Sequence, residues 1–296
     1  MKILVIIVSY NFVPWMDRCL GSLRKLDKPV DVMVIDNNSQ DDTVSVLKAR
    51  YPEVRIVENR DNLGFGRANN KGMDYAVKEG YEGVLLLNQD AWIDHDSLTK
   101  LVDAAERHPE FGILSPIHLM GNRQGIEHGF AVYSGLTNLA HLPSEEVVEV
   151  DFINAAIWYV PLKVLKDVGF FAPLFYHYGE DKDLANRMRY HGWKIGYLPA
   201  AFGCHGREAR VETRKRILHS EYVYHLTEYA NINYGLGRAC AMGVLAVFKK
   251  TAWSVVRAKW NDATAYLSMA GRLLCKTREV VRTRRMSKHV DLNSYL

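Results

Sequence analysis

Val30-Asp31-Val32-Met33-Val34-Ile35-Asp36-Asn37-Asn38-Ser39 decides the fold: a β-branched apolar run ends on an acid, and turn-forming residues follow it. The pattern returns in Gly83-Val84-Leu85-Leu86-Leu87-Asn88-Gln89-Asp90. A third acid-bearing break, Tyr178-Gly179-Glu180-Asp181, opens a helical pattern about 90 residues further on. Acids placed this way predict parallel strands delivering carboxylates to one crevice at their C-terminal ends, where open α/β sheets bind ligands.

Working outward, residues 3–8 and 54–57 are two more short apolar runs bounded by turn formers. Helical patterns lie between them: Trp15, Cys19, Leu20 and Leu23; the cap-rich stretch 38–42 ahead of Val44, Val46 and Leu47; and residues 69–79, closed by Gly80. This alternation predicts βαβ units with right-handed crossovers, hence an α/β, Rossmann-like, mostly parallel sheet flanked by helices. Residues 111–171 mix Gly, Pro and His among short extended runs and read as an insertion shaping a second substrate pocket. A helix over 181–191 buries Leu184 and Met188 and ends at Gly192; from about residue 221 the pattern is helical again.

With 296 residues, 48% of them apolar, the chain can bury a full core. The opening MKILVIIVSYN has one Lys and six apolar residues in a row, which suits a buried first strand rather than a secretory leader. No run approaches the roughly 18 apolar residues of a membrane span. Cys19, Cys204, Cys240 and Cys275 stand far apart without a CxxC pair, which predicts a reduced, cytoplasmic setting. The net charge of +4 conceals an asymmetry: residues 240–296 hold eleven Lys/Arg against three acids, and the rest of the chain is net acidic. Nucleic acid is a poor partner for that distribution. Aromatic and basic residues interleaved from Val244 to Lys288 predict amphipathic helices at an anionic membrane surface, peripheral at the inner face; the alternative is a stripe packed on the catalytic body.

Each candidate site has a plain structural reading beside the chemical one. Asp36 can accept the imide N–H of a pyrimidine base, or simply hold an Asx turn. Asn62-Leu63-Gly64-Phe65-Gly66, leading into Asn69, Asn70, Lys71 and Gly72, suits a phosphate cradle at a helix start, or a tight turn. Its spacing lacks the third glycine of a dinucleotide fingerprint. Asp90 offers one oxygen ligand to a hard divalent cation, Mg or Mn, that diphosphate oxygens would complete. Glu180 and Asp181 open a helix behind Phe175-Tyr176-His177-Tyr178, an aromatic wall for a sugar, and so suit a general base; Asp183 is spaced to pair with Arg187 instead. His205 follows another extended run and gains interest only from its company.

Taken in order, Val8-Ser9-Tyr10-Asn11, Val34-Ile35-Asp36-Asn37-Asn38-Ser39, the Asn62 to Gly72 glycine loop, Leu87-Asn88-Gln89-Asp90, Gly179-Glu180-Asp181-Lys182-Asp183-Leu184 with Arg187 and Gly192-Trp193, and His205 resemble the family 2 inverting glycosyltransferases of the GT-A fold. The likeness is greatest to their rhamnosyltransferase-like branch, which builds surface polysaccharides, and it covers roughly residues 1–210. It implies a catalytic domain over 1–220, with a nucleotide-sugar half to about 110 and an acceptor half beyond, followed by a helical, basic extension over 221–296. It further implies that Ser9, Asn11, Asp36, Asn38, Asn62, Gly64, Asn69, Asn88 and Asp90 bind a nucleotide-diphospho-sugar such as dTDP-rhamnose or a UDP-sugar. Asp181, with Glu180, would deprotonate a saccharide acceptor, lipid-linked in that branch, while Asp90 and His205 touch the metal. Arg187, Arg207 and Lys71 are candidate partners for the diphosphate. Asn88 stands where many relatives carry Asp, which puts metal dependence in question. Two rivals stay open: a pyrophosphorylase of the same fold, and a catalytically silent sugar-nucleotide-binding protein or membrane-surface scaffold.

Overall fold

The computed structural model describes residues 2–206 and 213–296. The first four strands, β1 (Ile3–Ser9), β2 (Asp31–Asp36), β3 (Arg55–Glu58) and β4 (Gly83–Leu87), alternate with helices α1 (Val13–Leu23), α2 (Thr43–Arg50) and α3 (Phe65–Lys78). They pair in parallel in the order β3-β2-β1-β4. β1 and β4 are almost wholly apolar because helices cover both faces of the sheet, and every side chain there but Val8 is buried.

The rest of the sheet comes from β5 (Ala91–Ile93), β6 (Phe111–Met120), β7 (Val148–Glu149), β8 (Ile157–Pro161) and β9 (Lys194–His205), with α4 (Ser97–Arg107), α5 (His128–Ser134), α6 (Leu162–Val168) and α7 (Glu180–Tyr190) between them. The order continues β4-β8-β6-β9-β5, with β7 on β9. β8 runs antiparallel to both β4 and β6, and β6 runs parallel to β9. The stretch read as an insertion therefore carries two central strands. β6 escaped notice because Gly112, Pro116 and His118 interrupt its apolar pattern, and Pro116 sits at a register shift that lets the strand pass.

Helices α8 (Arg214–Ala230), α9 (Leu236–Cys240), α10 (Ala246–Val256), α11 (Trp260–Cys275) and α12 (Thr277–Lys288) follow. The domain boundary expected at residue 220 falls inside α8. α9 and α10 are joined through a π-helical turn, Ala241–Leu245, into one helix of 21 residues, Leu236–Val256, with a mean hydropathy of 1.4 in its most apolar window. By length and composition it could cross a membrane, which corrects the expectation that no such segment exists; the sequence reading stopped at Lys249-Lys250, which interrupts the run without ending the helix. One side of that helix, with Ala239, Val244 and Val247, joins a core shared with Tyr222, Leu226, Met269, Leu273 and, from the segment ahead of α7, Ala172 and Phe175. Its other side exposes Leu245, Phe248, Trp253 and Val256.

The last residues return to the catalytic body. Tyr295, 1% exposed, fills a slot over Gly169, and its carbonyl accepts a 2.8 Å hydrogen bond from Asn70 Nδ2 in α3. The same amide donates to Phe171 O and its Oδ1 accepts from Phe171 N, so Asn70 clasps three segments at once.

Candidate active site

Parallel pairing places Ser9 and Asp36 side by side at the ends of β1 and β2, and Ser9 Oγ donates to Asp36 Oδ1 at 3.0 Å. The Ser39 N–H donates to Oδ2 at 2.9 Å while Asn38 turns the chain at φ 65°. Asp36, buried, is thus the acceptor of an Asx turn. Asn11, at φ 55°, ties in: its N–H donates to Ser39 Oγ and its Oδ1 accepts from Gln40 N. Ser9, Asn11, Asp36 and Asn38 form one polar floor.

The glycine loop lies against this floor. Asn37 Nδ2 donates to Gly64 O, and Asn37 Oδ1 accepts from Asn59 and from Leu63 N–H. Lys71 Nζ donates to Asn59 Oδ1. Asn37, inside the Asp36 motif, and Asn59, at the start of the stretch read as a phosphate cradle, had no role of their own in the sequence reading, although both directly follow strand ends. Asn62 Oδ1 holds the Gly64 N–H at 2.9 Å. Gly64 has φ 79°, and a Cβ there would lie 2.1 Å from Tyr176 O, so the closest neighbour of this glycine is the loop ahead of α7. Tyr176 also donates from its hydroxyl to Asn62 O at 3.1 Å. The helix expected from 69 begins at Phe65, which puts Gly66 in its first turn and Asn69 inside it, buried and donating to Phe65 O.

Antiparallel pairing makes Ala91 and His205 register partners, and it brings His205 Nε2 to 3.5 Å from Asp90 Oδ1. The Gly206 N–H donates to Asp90 O at 2.7 Å and fixes the approach. His205 is buried, and its Nδ1 has no hydrogen-bond partner among the described residues. No group of three or more His, Cys, Asp or Glu side chains is placed to hold a metal among the described residues; Asp90 and His205 stand as a pair. Asn88, at the end of β4, donates its N–H to Ala156 O across the sheet. Gln89, unmarked by the sequence, exchanges two hydrogen bonds with the Tyr10 backbone and joins the loops after β1 and β4.

That link to Ala156 brings the last acids in. Asp181, half-buried, takes hydrogen bonds from the backbone N–H of Lys182 and Ala155, and Ala155 is the chain neighbour of the Ala156 that Asn88 bonds across the sheet. Burial raises its carboxyl above the usual Asp range, and those N–H groups offset part of the rise. Glu180 is deeper, with Oε2 unpartnered among the described residues; burial first and the Asp181 charge second push it up to about 8. Gly179 at the helix start has φ 91°, and a Cβ there would meet Val223 of α8 at 2.8 Å. Asp183 and Arg187 form a buried pair at 2.9 Å, and the remaining guanidinium nitrogens donate to Val168 O and Phe170 O. Arg187, 1% exposed, therefore cannot reach a diphosphate, which corrects that expectation; Arg207 lies outside the described residues. The aromatic wall also loses a member, because Phe175 is buried in the C-terminal helical core while Tyr176, His177 and Tyr178 face out.

Comparison with known proteins gives the family and the fold. A family model described as glycosyl transferase family 2 matches residues 4–131, and one described as glycosyl transferase family group 2 matches residues 83–275. The chain is 28% identical over 225 residues to an N-acetylglucosaminyl-diphospho-decaprenol L-rhamnosyltransferase of Mycobacterium tuberculosis, covering 67% of this chain and 73% of that one. It is 28% identical over 107 residues to an undecaprenyl-phosphate mannosyltransferase of Micrococcus luteus, covering 35% and 44%. Among solved structures, S. aureus TarS 1-349 in complex with UDP-GlcNAc superposes with a TM-score of 0.59 at 15% identity, over 100% of this chain and 89% of that one. The mannosyltransferase PcManGT from Pyrobaculum calidifontis, in complex with GDP-Man and Mn2+, gives 0.57 at 16% identity, over 93% and 86%. With a family model spanning well over half the sequence, a GT-A sheet and acids gathered at its strand ends, the chain belongs to the family 2 glycosyltransferases.

Proposed function

We propose that this glycosyltransferase inverts the anomeric carbon of a nucleotide-diphospho-sugar, dTDP-rhamnose-like or UDP-linked, as it passes the sugar to a lipid-linked saccharide. The observation that supports this most is Asp181: a carboxylate with a raised pKa, tied through Ala155-Ala156 to the residue after β4, and directly behind the Tyr176-His177-Tyr178 loop. In the reaction, the acceptor oxygen attacks the anomeric carbon and its proton passes to the Asp181 carboxylate. The bond from that carbon to the diphosphate oxygen breaks on the opposite face, and its electron pair leaves with the nucleoside diphosphate. A single in-line displacement inverts the centre.

Asp90 and His205 would hold a divalent cation, since a carboxylate beside a buried imidazole with an orphaned nitrogen is a fitting, if incomplete, donor set. When bound, such a cation neutralises charge developing on the leaving diphosphate. The polar floor of Ser9, Asn11, Asp36 and Asn38 would seat the nucleoside, with Asn62, Gly64, Asn69 and Asn88 around the diphosphate-sugar. The relative that acts on a decaprenol-linked saccharide motivates the acceptor class. Residues 1–213 would form the catalytic domain, and the basic helical region from Arg214 would sit peripherally on the cytoplasmic membrane face. We prefer this to a membrane span because one side of the Leu236–Val256 helix packs on α8 and α11 and Lys250 pairs with Glu221 at 3.2 Å.

The test is a thermal-shift panel of UDP-, dTDP- and GDP-sugars, followed by product anomer assignment by NMR. A donor present at about 100 times its dissociation constant should stabilise by about 2.7 kcal/mol. Retention of configuration would overturn the inverting mechanism. Donor binding without hydrolysis or transfer would favour the silent-binder reading.

A further inference from the structure

We infer that the groove between α8 and α11 is the subsite for the diphosphate of a lipid-linked saccharide acceptor. This rests on the acceptor class proposed above. The groove is a cavity of about 820 Å³. From α8, Lys215 and His219 line it at a spacing of four; from α11, Thr264, Ser268 and Arg272 do so at the same spacing, so each helix presents one continuous face. No carboxylate lines it among the described residues. Arg214, at its edge, is held by Asp262 at 2.8 Å; Arg272 lies flat over the Tyr222 ring at 4.0 Å; and Lys215 has no ion-pair partner among the described residues. Lys215 and Arg272, neither ion-paired among the described residues and both set among hydroxyls, are the chemistry that holds phosphate oxygens.

Position relates the groove to the site. Val223 packs on Gly179 immediately ahead of Glu180 and Asp181, and the His219 ring lies 6.1 Å from that of Tyr178. Along α8, Lys215 is eight residues before Val223, roughly 12 Å at the helical rise. A diphosphate at Lys215 and Arg272 would thus reach the base through the length of a short saccharide. The lipid has a place as well. The other face of α11 exposes Trp260, Leu267 and Leu274, and α10 exposes Trp253 and Val256 beside it. A charged groove bordered by uncovered apolar side chains matches an amphiphile with a diphosphate head.

The test uses the full chain, with its donor site filled by Mn2+ and whichever of UDP, dTDP or GDP the thermal-shift panel selects, and farnesyl diphosphate as the probe. Lys215→Gln combined with Arg272→Gln should weaken farnesyl diphosphate binding at least tenfold. Nucleotide affinity should not change, and binding to phosphatidylglycerol vesicles should fall by much less. Lys215→Arg should bind like the parent. Unchanged farnesyl diphosphate affinity in the double variant would overturn the assignment. So would an equal loss for vesicles, which would make the groove a general headgroup contact. A chain that binds no nucleotide would defeat the proposed activity instead, and the farnesyl diphosphate comparison would still decide the groove.

Discussion

Asp90 and His205 face each other across two antiparallel strands, 3.5 Å from Oδ1 to Nε2, because β5 turns back along β9 directly after the acid. The ladder extends one residue further, since the Gly206 N–H, directly after His205, donates to the Asp90 carbonyl. The pair is built by the sheet, so its spacing does not depend on a flexible loop.

One acid and one imidazole leave most of a cation's affinity to the donor diphosphate. Transfer should therefore require Mg2+ or Mn2+ yet saturate only at high metal concentration. Asp90→Ala should be far more damaging than Asn88→Ala, and His205→Ala should raise the metal concentration at half-maximal rate. Titration of each variant with Mn2+ checks this, and a rate indifferent to chelator would refute it.

Asp181→Asn should lower turnover by about two to four powers of ten while leaving nucleotide affinity intact, the usual cost of losing a general base. In the parent, a base must be unprotonated, so the rate should rise with pH through the raised Asp181 pKa. A variant that keeps its turnover would transfer the role to another group.

Glu180 binds its proton more tightly folded, at about 8, than at the ordinary 4.5. Its neutral form is fully accommodated below about pH 4.5. Stability should then fall as pH climbs towards 8, by at most about 1.4 kcal/mol per pH unit. Glu180→Gln, neutral throughout, should flatten that slope. Urea midpoints measured from pH 5 to 8 on both proteins give the comparison; parallel slopes would contradict the assignment.

Gly64→Ala forces a side chain into a backbone region, φ 79° and ψ 171°, that is essentially reserved for glycine, at about 1–3 kcal/mol, and into the Tyr176 carbonyl as well. A lowered denaturation midpoint with weakened donor binding is expected. Gly80→Ala, also at positive φ but in open space, is the control and should show the conformational cost alone.

The exposed turn between α10 and α11 carries Trp253 and Trp260 with Arg257 and Lys259. Co-sedimentation with anionic vesicles should fall when both tryptophans become Ser, and should weaken as salt rises. Binding that ignores both changes would count against a peripheral membrane role.

Where a residue's neighbours in sequence set its role, the sequence was a good guide. The strands ending at Ser9, Asp36 and Leu87 and the helix opened by Glu180 lie within a residue or so of their expected ends, because buried apolar runs and turn formers are local signals. β6 and β8 were hidden: a strand in a mixed sheet tolerates Gly112 and Pro116 when tertiary neighbours enforce it. The burial of Arg187 was equally illegible, since its carbonyl partners lie 17 and 19 residues away. Likewise the space beside Gly64 is filled by a residue over a hundred positions later, and no local pattern announces that.

Asn70 and Tyr295 are 225 residues apart when their hydrogen bond closes. Closing so long a loop costs only slightly more entropy than closing a short one, but contacts of such sequence separation form slowly. The sheet can assemble from neighbouring βαβ units before this clasp exists. A refolding chain should therefore pass through a species that holds nearly all its secondary structure while α3 and the loop ahead of α7 are not yet locked together, so recovery of activity should lag behind recovery of the far-ultraviolet circular dichroism signal.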